Sequence, residues 1–139
     1  MQQQGLSVLG ATVRHAIDHV EVFPAPANVS TVTFTTDELA SMCPVTQQPD
    51  LSHVVIEYEP DAWCVESKSL KLYLWGFRDR AVFAEALAAE IAGEVIVADA
   101  GAPQLRILGS RAHAHVADAR GQPFEHFEQP GDILAGEAI

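Results

Sequence analysis

The sequence predicts an α+β fold in which a mostly antiparallel sheet is backed by two helices. β-branched residues dominate residues 28–36, a composition typical of a strand. Apolar residues recur at helical spacing over residues 67–77. Short apolar runs return at residues 94–98 and 104–108. The predicted order of elements is therefore β-β-α-α-β-β, which is typical of the α+β class.

The N-terminal half is predicted to hold two strands joined by a stiff segment. Residues 1–27 read as an irregular arm, because glycines and prolines interrupt any long period. A first strand is predicted over residues 28–36, with a short turn at residues 37–41. The apolar run at residues 53–58 predicts the second strand. Between them, residues 43–50 contain two prolines, which restrict the backbone of this connection.

Two helices are predicted next. Residues 67–77 fit both the alternation of a strand and the i, i+3, i+4, i+7 spacing of a helix. Ser67 is a suitable N-cap, which favours the helix. The second helix is predicted from about Arg80 to Ile91, with Gly93 as its C-terminal stop.

The domain organisation follows from these elements. Strands are predicted at residues 94–98 and 104–108, after the helices. The chain then divides into an N-terminal arm at residues 1–27, a folded domain at residues 28–120 and a tail at residues 121–139. Prolines and glycines in the last segment predict that it frays or lies on a neighbour.

Composition and charge exclude several classes of function. A chain of 139 residues suffices for one domain with a real core. Its net charge of −11 argues against a surface for nucleic acid or anionic membrane, since both need clustered Lys and Arg. No apolar run approaches the ~20 residues of a membrane span. The start of the chain lacks the pattern of a signal peptide. We therefore expect a cytoplasmic protein with no direct nucleic-acid or membrane partner.

The segment from Cys43 to Asp50 is the first candidate site. A thiol lies seven positions before a carboxyl group, with two prolines between them. A thiolate can add to an electrophilic carbon while a nearby acid protonates the developing anion. A buried, unreactive cysteine is the commoner use of this residue type. Spacing alone leaves both interpretations open.

No metal site is predicted, although cysteines and histidines are present. Cys43 and Cys64 form no Cys-x-x-Cys pair, and His113-x-His115 is a weak signal by itself. The two cysteines also make no disulfide framework, and Cys64 between Trp63 and Val65 is assigned to packing.

The segment from Glu66 to Tyr73 is the second candidate site. A helix N-terminus that carries Ser and Lys attracts phosphate groups, and Lys68 and Lys71 supply positive charge. An ordinary capped helix with a solvated charged face explains the same residues. On the second helix, Glu85 reads by pattern as a surface carboxylate.

Taken together, these segments resemble the NADPH-dependent 7-cyano-7-deazaguanine reductases (QueF), the nitrile reductases of queuosine biosynthesis. The matching motifs are Cys-Pro-Val-Thr-Gln-Gln-Pro-Asp at 43–50, Cys-Val-Glu-Ser-Lys-Ser-Leu-Lys-Leu-Tyr-Leu at 64–74, Phe-Arg at 77–78 and Phe-x-Glu at 83–85. The resemblance covers roughly residues 28–92. It implies the tunnelling fold (T-fold), and it favours the helix over the strand at residues 67–77. It also implies a homo-oligomeric ring, a decamer of two pentamers.

The resemblance also implies a role for each candidate residue. Cys43 is the nucleophile that adds to the nitrile to form a thioimidate, and Asp50 is the general acid. Glu85 grips the deazaguanine ring through its N–H donors. NADPH, not tightly bound, supplies two hydrides, and no metal takes part. The implied substrate-binding residues are Glu85, Val65, Glu66 and Ser67, and the implied cofactor-binding residues are Ser67, Lys68, Lys71 and Tyr73.

Four positions depart from the family pattern. Ala84 stands where a histidine usually precedes the ring-binding Glu, and Gln47 stands where glycine is usual. Asp79-Arg80-Ala81 replaces Asn-His-Gly, and residues 106–111 stand in place of an Arg-Gly-Gly stretch. These departures motivate two alternatives. One is a protein that forms the thioimidate but uses ammonia or another acceptor instead of hydride. The other is a non-catalytic deazapurine-binding T-fold ring.

Overall fold

The computed structural model describes residues 6–98 and the strand at residues 104–108. The predictions for His113, His115 and the tail at residues 121–139 lie outside the described residues. The described residues form five strands and two helices. In chain order these are β1 (Val22–Pro24), β2 (Val32–Met42), β3 (Pro49–Tyr58), β4 (Trp63–Val65), α1 (Ser67–Trp75), α2 (Ala84–Val97) and β5 (Gln104–Leu108).

Two antiparallel sheets and two helices confirm the predicted α+β class. The larger sheet has the strand order β2-β3-β5, and the smaller pairs β1 with β4. A core of buried residues joins β3 to both helices; its largest members with essentially no exposure are Leu39, Val54, Ile56, Leu74, Phe77, Leu87, Ile91 and Val95. No helix among the described residues is long and apolar enough to cross a membrane.

The strand predicted at residues 94–98 is wrong, because α2 continues through Val97. Leu87, Ile91 and Val95 lie four residues apart and are all buried. This stripe keeps the segment helical, so packing overrides the β-branched composition of its last turn. Gly93, predicted as the stop, lies inside the helix, with open space where a Cβ would be.

The other end of α2 also differs from the prediction. The helix begins at Ala84 rather than near Arg80. Arg80 and Val82 instead hydrogen bond to β2: Met42 N–H donates to Arg80 O at 2.8 Å, and Val82 N–H donates to Met42 O at 3.2 Å. These two bonds to β2 satisfy the carbonyl of Arg80 and the N–H of Val82 before the helix starts.

The turn predicted at residues 37–41 is also wrong. These residues continue β2, which is interrupted only by a shift of register between Thr36 and Leu39. The partner strand β3 begins at Pro49, four residues earlier than predicted, so the two strands form one long hairpin. Cross-strand pairing thus extends the sheet to the first candidate site.

The helix predicted at residues 67–77 is confirmed as α1, but its N-cap is Glu66 rather than Ser67. The Glu66 carboxylate accepts hydrogen bonds from Lys68 N–H at 2.8 Å and Ser69 N–H at 2.7 Å. Ser67 is exposed, in the first turn. A buried carboxylate here satisfies two backbone donors that water does not reach.

The segment before the hairpin packs on the helices in part. Val20 is buried in the core, and its N–H donates to the Glu94 carboxylate of α2 at 3.0 Å. Ile17 N–H donates to Leu72 O of α1 at 3.3 Å. Residues 17–24 therefore join the described fold through both backbone and side-chain contacts.

Candidate functional site

A β-bulge places Cys43 and Asp50 on the same face of the β2–β3 hairpin. Thr36 lies opposite Val54, but Leu39 lies opposite Ser52, so β2 has one extra residue. Beyond the bulge Ser41 pairs with Asp50, and Cys43 follows two positions later. Because side chains alternate along a strand, an unbulged strand would instead put Met42 on this face. The face is the one that carries buried Leu39 and Ser52, toward the core.

Cys43 begins the loop that closes this hairpin. Its N–H donates to Gln48 O at 2.9 Å, and its carbonyl accepts from Gln47 N–H at 2.9 Å. Hydrogen bonds from the Thr46 hydroxyl, and then from the backbone N–H groups of Thr46 and Val45, lower the pKa of the thiol. The nearby Asp50 carboxylate acts against this and raises the pKa. The donors prevail, so the loop favours a partly exposed thiolate.

Removing the Thr46 hydroxyl is expected to raise the pKa of the Cys43 thiol. Thr46→Val keeps the shape of the side chain but deletes the donor with the largest effect on the thiolate. The rate of Cys43 alkylation by iodoacetamide should therefore reach its half-maximum at higher pH than in the wild type. Thr33→Val, on the exposed part of β2, is the matched control. An unchanged pH midpoint in Thr46→Val would contradict this role for the hydroxyl.

The same loop contains a strained residue. Gln47 has a φ of +57°, the left-handed region that favours glycine. The family pattern has glycine at this position, so the departure noted in the sequence falls where the backbone is least tolerant of a side chain. The hairpin loop therefore keeps its shape with Gln47 at some cost in stability.

Gln47→Gly is expected to stabilise the chain by about 0.5–1 kcal/mol. The left-handed strain is relieved, and the greater flexibility of glycine in the unfolded chain offsets part of the gain. Urea unfolding at fixed protein concentration measures the change. The control is Gln48→Gly in the same loop, where φ is not positive. That control should be destabilising, and equal effects of the two variants would contradict the assignment of strain to Gln47.

Glu85 lies in the first turn of α2, close to the same end of the hairpin. The chain segment at residues 80–82 is bound to Met42, the residue before Cys43. Glu85 follows three residues later, so its Cα lies within about 11 Å of that of Val82. The side chain is exposed in the single chain, and its position in the first helical turn suits a carboxylate. The structure thus brings Cys43, Asp50 and the start of α2 to one end of the sheet.

Val65 and Glu66 are buried and take part in the fold itself. Val65 N–H donates to the Tyr58 hydroxyl at 2.7 Å, and burial raises the pKa of that phenol to about 12. Glu66 N–H donates to Glu21 O at 2.8 Å, while its carboxylate caps α1. The main role that the structure gives to these two residues is to fix the beginning of α1.

Three of the four predicted cofactor residues share one groove. Ser67, Lys68 and Lys71 line a groove of about 260 Å³ between α1 and β2. Lys71 Nζ pairs with the Glu38 carboxylate at 2.8 Å, an exposed ion pair of small energetic value. The two ammonium groups, rather than the N–H groups of α1 that Glu66 already caps, are the features that suit a phosphate group of a cofactor.

Tyr73 is not part of that groove. It is buried and stacks edge-to-face on Phe77, with ring centroids 5.3 Å apart. Burial, followed by the carboxylates of Glu94 and Glu90, raises the pKa of its phenol. Its position on α1 borders a second cleft of about 590 Å³, formed by the N-terminal arm and the two helices. The sequence motif therefore spreads over two sides of one helix.

Within one chain, the groove and the cysteine loop lie apart. The groove is bounded by Phe34, Thr35 and Thr36 of β2. Of the β2 residues that line the groove, Glu38 lies nearest to Cys43 along the chain, and the five residue steps between them span at most about 17 Å of extended strand. The groove and the cysteine loop are therefore separate features of the single chain.

The described residues contain no group of three or more His, Cys, Asp and Glu side chains arranged to hold a metal ion. His53 Nδ1 lies 2.6 Å from the Asp37 carboxylate, on the other face of the sheet from Asp50. The residues that sequence reasoning missed are Thr46 and Glu21. Thr46 belongs to the Cys43–Asp50 motif, but its residue type alone does not show that its hydroxyl bonds to the thiol. No local pattern shows that the Glu21 carboxylate binds Ser7 and Val8.

Comparison with known proteins points to one family. Residues 49–110 match a family model described as "QueF-like protein". The matched stretch includes Asp50, α1 and Glu85, and it begins six residues after Cys43.

Curated relatives extend the similarity over most of the chain. It is 45% identical over 105 residues to a protein of Rhodopseudomonas palustris strain BisB5 named NADPH-dependent 7-cyano-7-deazaguanine reductase; the alignment covers 76% of this chain and 63% of the relative. A protein of the same name from R. palustris strain HaA2 is 53% identical over 102 residues, covering 73% and 61%. The chain thus spans a little under two thirds of the length of these relatives.

A solved structure shares the fold. The crystal structure titled "archaeosine synthase QueF-Like in the apo form" aligns with a TM-score of 0.54 at 24% sequence identity. The alignment covers 56% of this chain and 78% of that chain. At this identity the likeness extends to the fold alone.

Proposed function

We propose that the chain is a member of the QueF-like protein family and that it reduces the nitrile of 7-cyano-7-deazaguanine to 7-aminomethyl-7-deazaguanine with NADPH, in queuosine biosynthesis. The shared name of the curated relatives supports the reaction and the cofactor. The observation that carries the proposal for this chain is the hairpin geometry, with Cys43 and Asp50 on one face.

The chemistry begins at Cys43. Its thiolate adds to the nitrile carbon, so a C–S bond forms and one π bond of the C≡N group breaks. The nitrogen takes a proton from Asp50, which gives a neutral thioimidate. Two molecules of NADPH, held by Ser67, Lys68 and Lys71 in turn, would supply one hydride each, and one further proton would complete the neutral amine. The C–S bond breaks after the first reduction and returns the thiolate, which Thr46 and its neighbours stabilise.

The substrate ring is held by Glu85 in this proposal. The ring presents adjacent N–H donors, and a carboxylate accepts two of them in a bidentate arrangement. Its place on the first turn of α2 gives the ring a fixed distance from the Cys43 loop, because residues 80–82 are bound to Met42. Val65 and Glu66 support the site through the start of α1, and Ser67, Lys68 and Lys71 bind the cofactor.

A ring of identical subunits completes the site. The candidate cofactor groove and the Cys43 loop are separate in one chain, with at most about 17 Å of extended strand between Glu38 of the groove and Cys43. A neighbouring copy that brings its groove to this loop removes the gap, as in a T-fold ring of two pentamers. Exposed apolar side chains near the loop, Val45, Leu51 and Phe83, support an interface there. The protein would act in the cytoplasm without metal.

Intact-protein mass spectrometry tests the proposal. The protein is mixed with 7-cyano-7-deazaguanine alone, with NADPH added, and with ammonium added. We expect a covalent adduct of one substrate per chain without NADPH, and its loss with oxidation of NADPH when the cofactor is present. Conversion of the adduct by ammonium, with NADPH left intact, would favour the alternative acceptor. Absence of any adduct at high substrate would reject both in favour of a binding protein.

A further inference from the structure

The N-terminal arm contains a compact turn, the Ser7–Ala11 turn, that lies against α1. Ala11 N–H donates to Val8 O at 3.1 Å, and Gly10 has a φ of +79° that suits glycine. Val8 is 4% exposed. The turn is therefore seated on the fold through Val8.

Glu21 anchors this turn. The residue is 2% exposed, and its carboxylate accepts from Ser7 N–H at 2.7 Å, from Val8 N–H at 2.9 Å and from the Ser7 hydroxyl. Burial disfavours the charge, but the donors of Ser7 and Val8 more than compensate and keep the pKa of the carboxyl below its usual range. A charged carboxylate thus holds the turn in place.

Lys68 connects the turn to the candidate cofactor groove. Its ammonium group donates to Val8 O at 2.7 Å and to Ala11 O. The same side chain lines the groove with Ser67 and Lys71. Two of its three N–H donors are therefore held by the turn, and one remains for a ligand.

We propose that Glu21 is a positioning residue. Through the Ser7–Ala11 turn it holds the Lys68 ammonium in place, so that this group is already ordered when a phosphate group of NADPH binds to it. The inference rests on the proposed function. A lysine side chain loses much conformational freedom when it binds, and one that is ordered beforehand binds with less loss. The carbonyl partners order the ammonium and leave its positive charge available to a ligand. A carboxylate partner would neutralise that charge.

The test compares Glu21→Gln with Glu94→Gln. The glutamine amide at position 21 faces backbone donors with a donor of its own, so the turn loosens. Glu94→Gln is the matched control, because Glu94 also accepts from the arm, at Val20 N–H, but does not touch the turn. Titration calorimetry with NADPH, the KM for each substrate and adduct formation without NADPH are measured.

We expect Glu21→Gln to weaken NADPH binding by about tenfold and to raise its KM likewise. The KM for the nitrile and the yield of adduct without NADPH should stay as in the wild type, as should every property of Glu94→Gln. A merely structural loss would lower the adduct yield as well. Lys68→Met should weaken NADPH binding in the wild type but cause little further loss in Glu21→Gln.

Gly10→Ala tests the same link should Glu21→Gln fail to fold. It strains the turn at a positive φ, while its Cβ meets open space, and about a threefold loss of NADPH affinity is expected. Unchanged affinity in both variants, tighter binding, or equal losses in Glu94→Gln would overturn the positioning role while wild-type turnover stands. Lack of NADPH binding by the wild type would overturn this inference together with the reductase.

Discussion

Cys43→Ala is expected to form no covalent adduct with 7-cyano-7-deazaguanine and to lose at least about 10³-fold in NADPH-dependent turnover. Without the sulfur no thioimidate can form, and direct hydride addition to an unactivated nitrile has to cross a much higher barrier. Mass spectrometry and NADPH absorbance measure both results. The variant should still fold, because Cys43 is only partly buried at the start of a hydrogen-bonded loop.

Cys64→Ala is the matched control for this prediction. Cys64 is buried in β4, 4% exposed, and pairs with Phe23 of β1. Its loss should reduce stability moderately and leave the adduct intact. An adduct that persisted in Cys43→Ala, or disappeared in Cys64→Ala, would refute the assignment of the nucleophile.

Glu66→Ala is expected to destabilise the chain by about 2 kcal/mol. The change removes the acceptor for Lys68 N–H and Ser69 N–H at the start of α1 and leaves the Ser69 donor buried without a partner. Urea unfolding at fixed protein concentration measures the loss. Glu66→Gln should lose less, because its amide oxygen still accepts one of the two bonds.

Ser67→Ala is the control, since Ser67 is the residue that the local sequence favours as N-cap. Its side chain is exposed, so its replacement should change stability by less than about 0.5 kcal/mol. A larger effect at Ser67 than at Glu66 would contradict the observed capping. If Glu66→Ala were as stable as the wild type but failed to bind the nitrile substrate, Glu66 would act on the substrate alone.

Helix α1 shows where local pattern sufficed and where it did not. The spacing of Leu70, Tyr73 and Leu74 fitted a helix, although alternation also fitted a strand, and all three are buried as the helical face requires. The cap was misplaced by one residue because Ser is the commoner N-cap type. The choice of Glu66 depends on its burial, and Glu66 is held by Glu21 O, which comes from a distant part of the chain.

The predicted end of helix α2 was wrong because local composition pointed to a strand where packing favours a helix. Its last turn, from Glu94 to Val97, has the β-branched residues of a strand, and Gly93 resembles a stop. The stripe of Leu87, Ile91 and Val95 packs in the core and keeps this segment helical. Propensity differs by less than about 1 kcal/mol per residue between such states, and burying a large apolar side chain outweighs it.

The sequence by itself predicted the α+β class, a helix over residues 67–77 and the resemblance to the QueF family, and the resemblance selected Cys43, Asp50 and Glu85 as candidates. The class and the helix follow from residue types and spacings, which are local, and the candidates follow from the matching motifs. The tertiary structure alone decided that Cys43 and Asp50 share a face, because one extra residue in β2 reverses the alternation. It also places the groove of Ser67, Lys68 and Lys71 apart from the cysteine loop, and it connects Lys68 to Glu21 through the Ser7–Ala11 turn. Such relations depend on register and packing between distant segments, which no local pattern encodes.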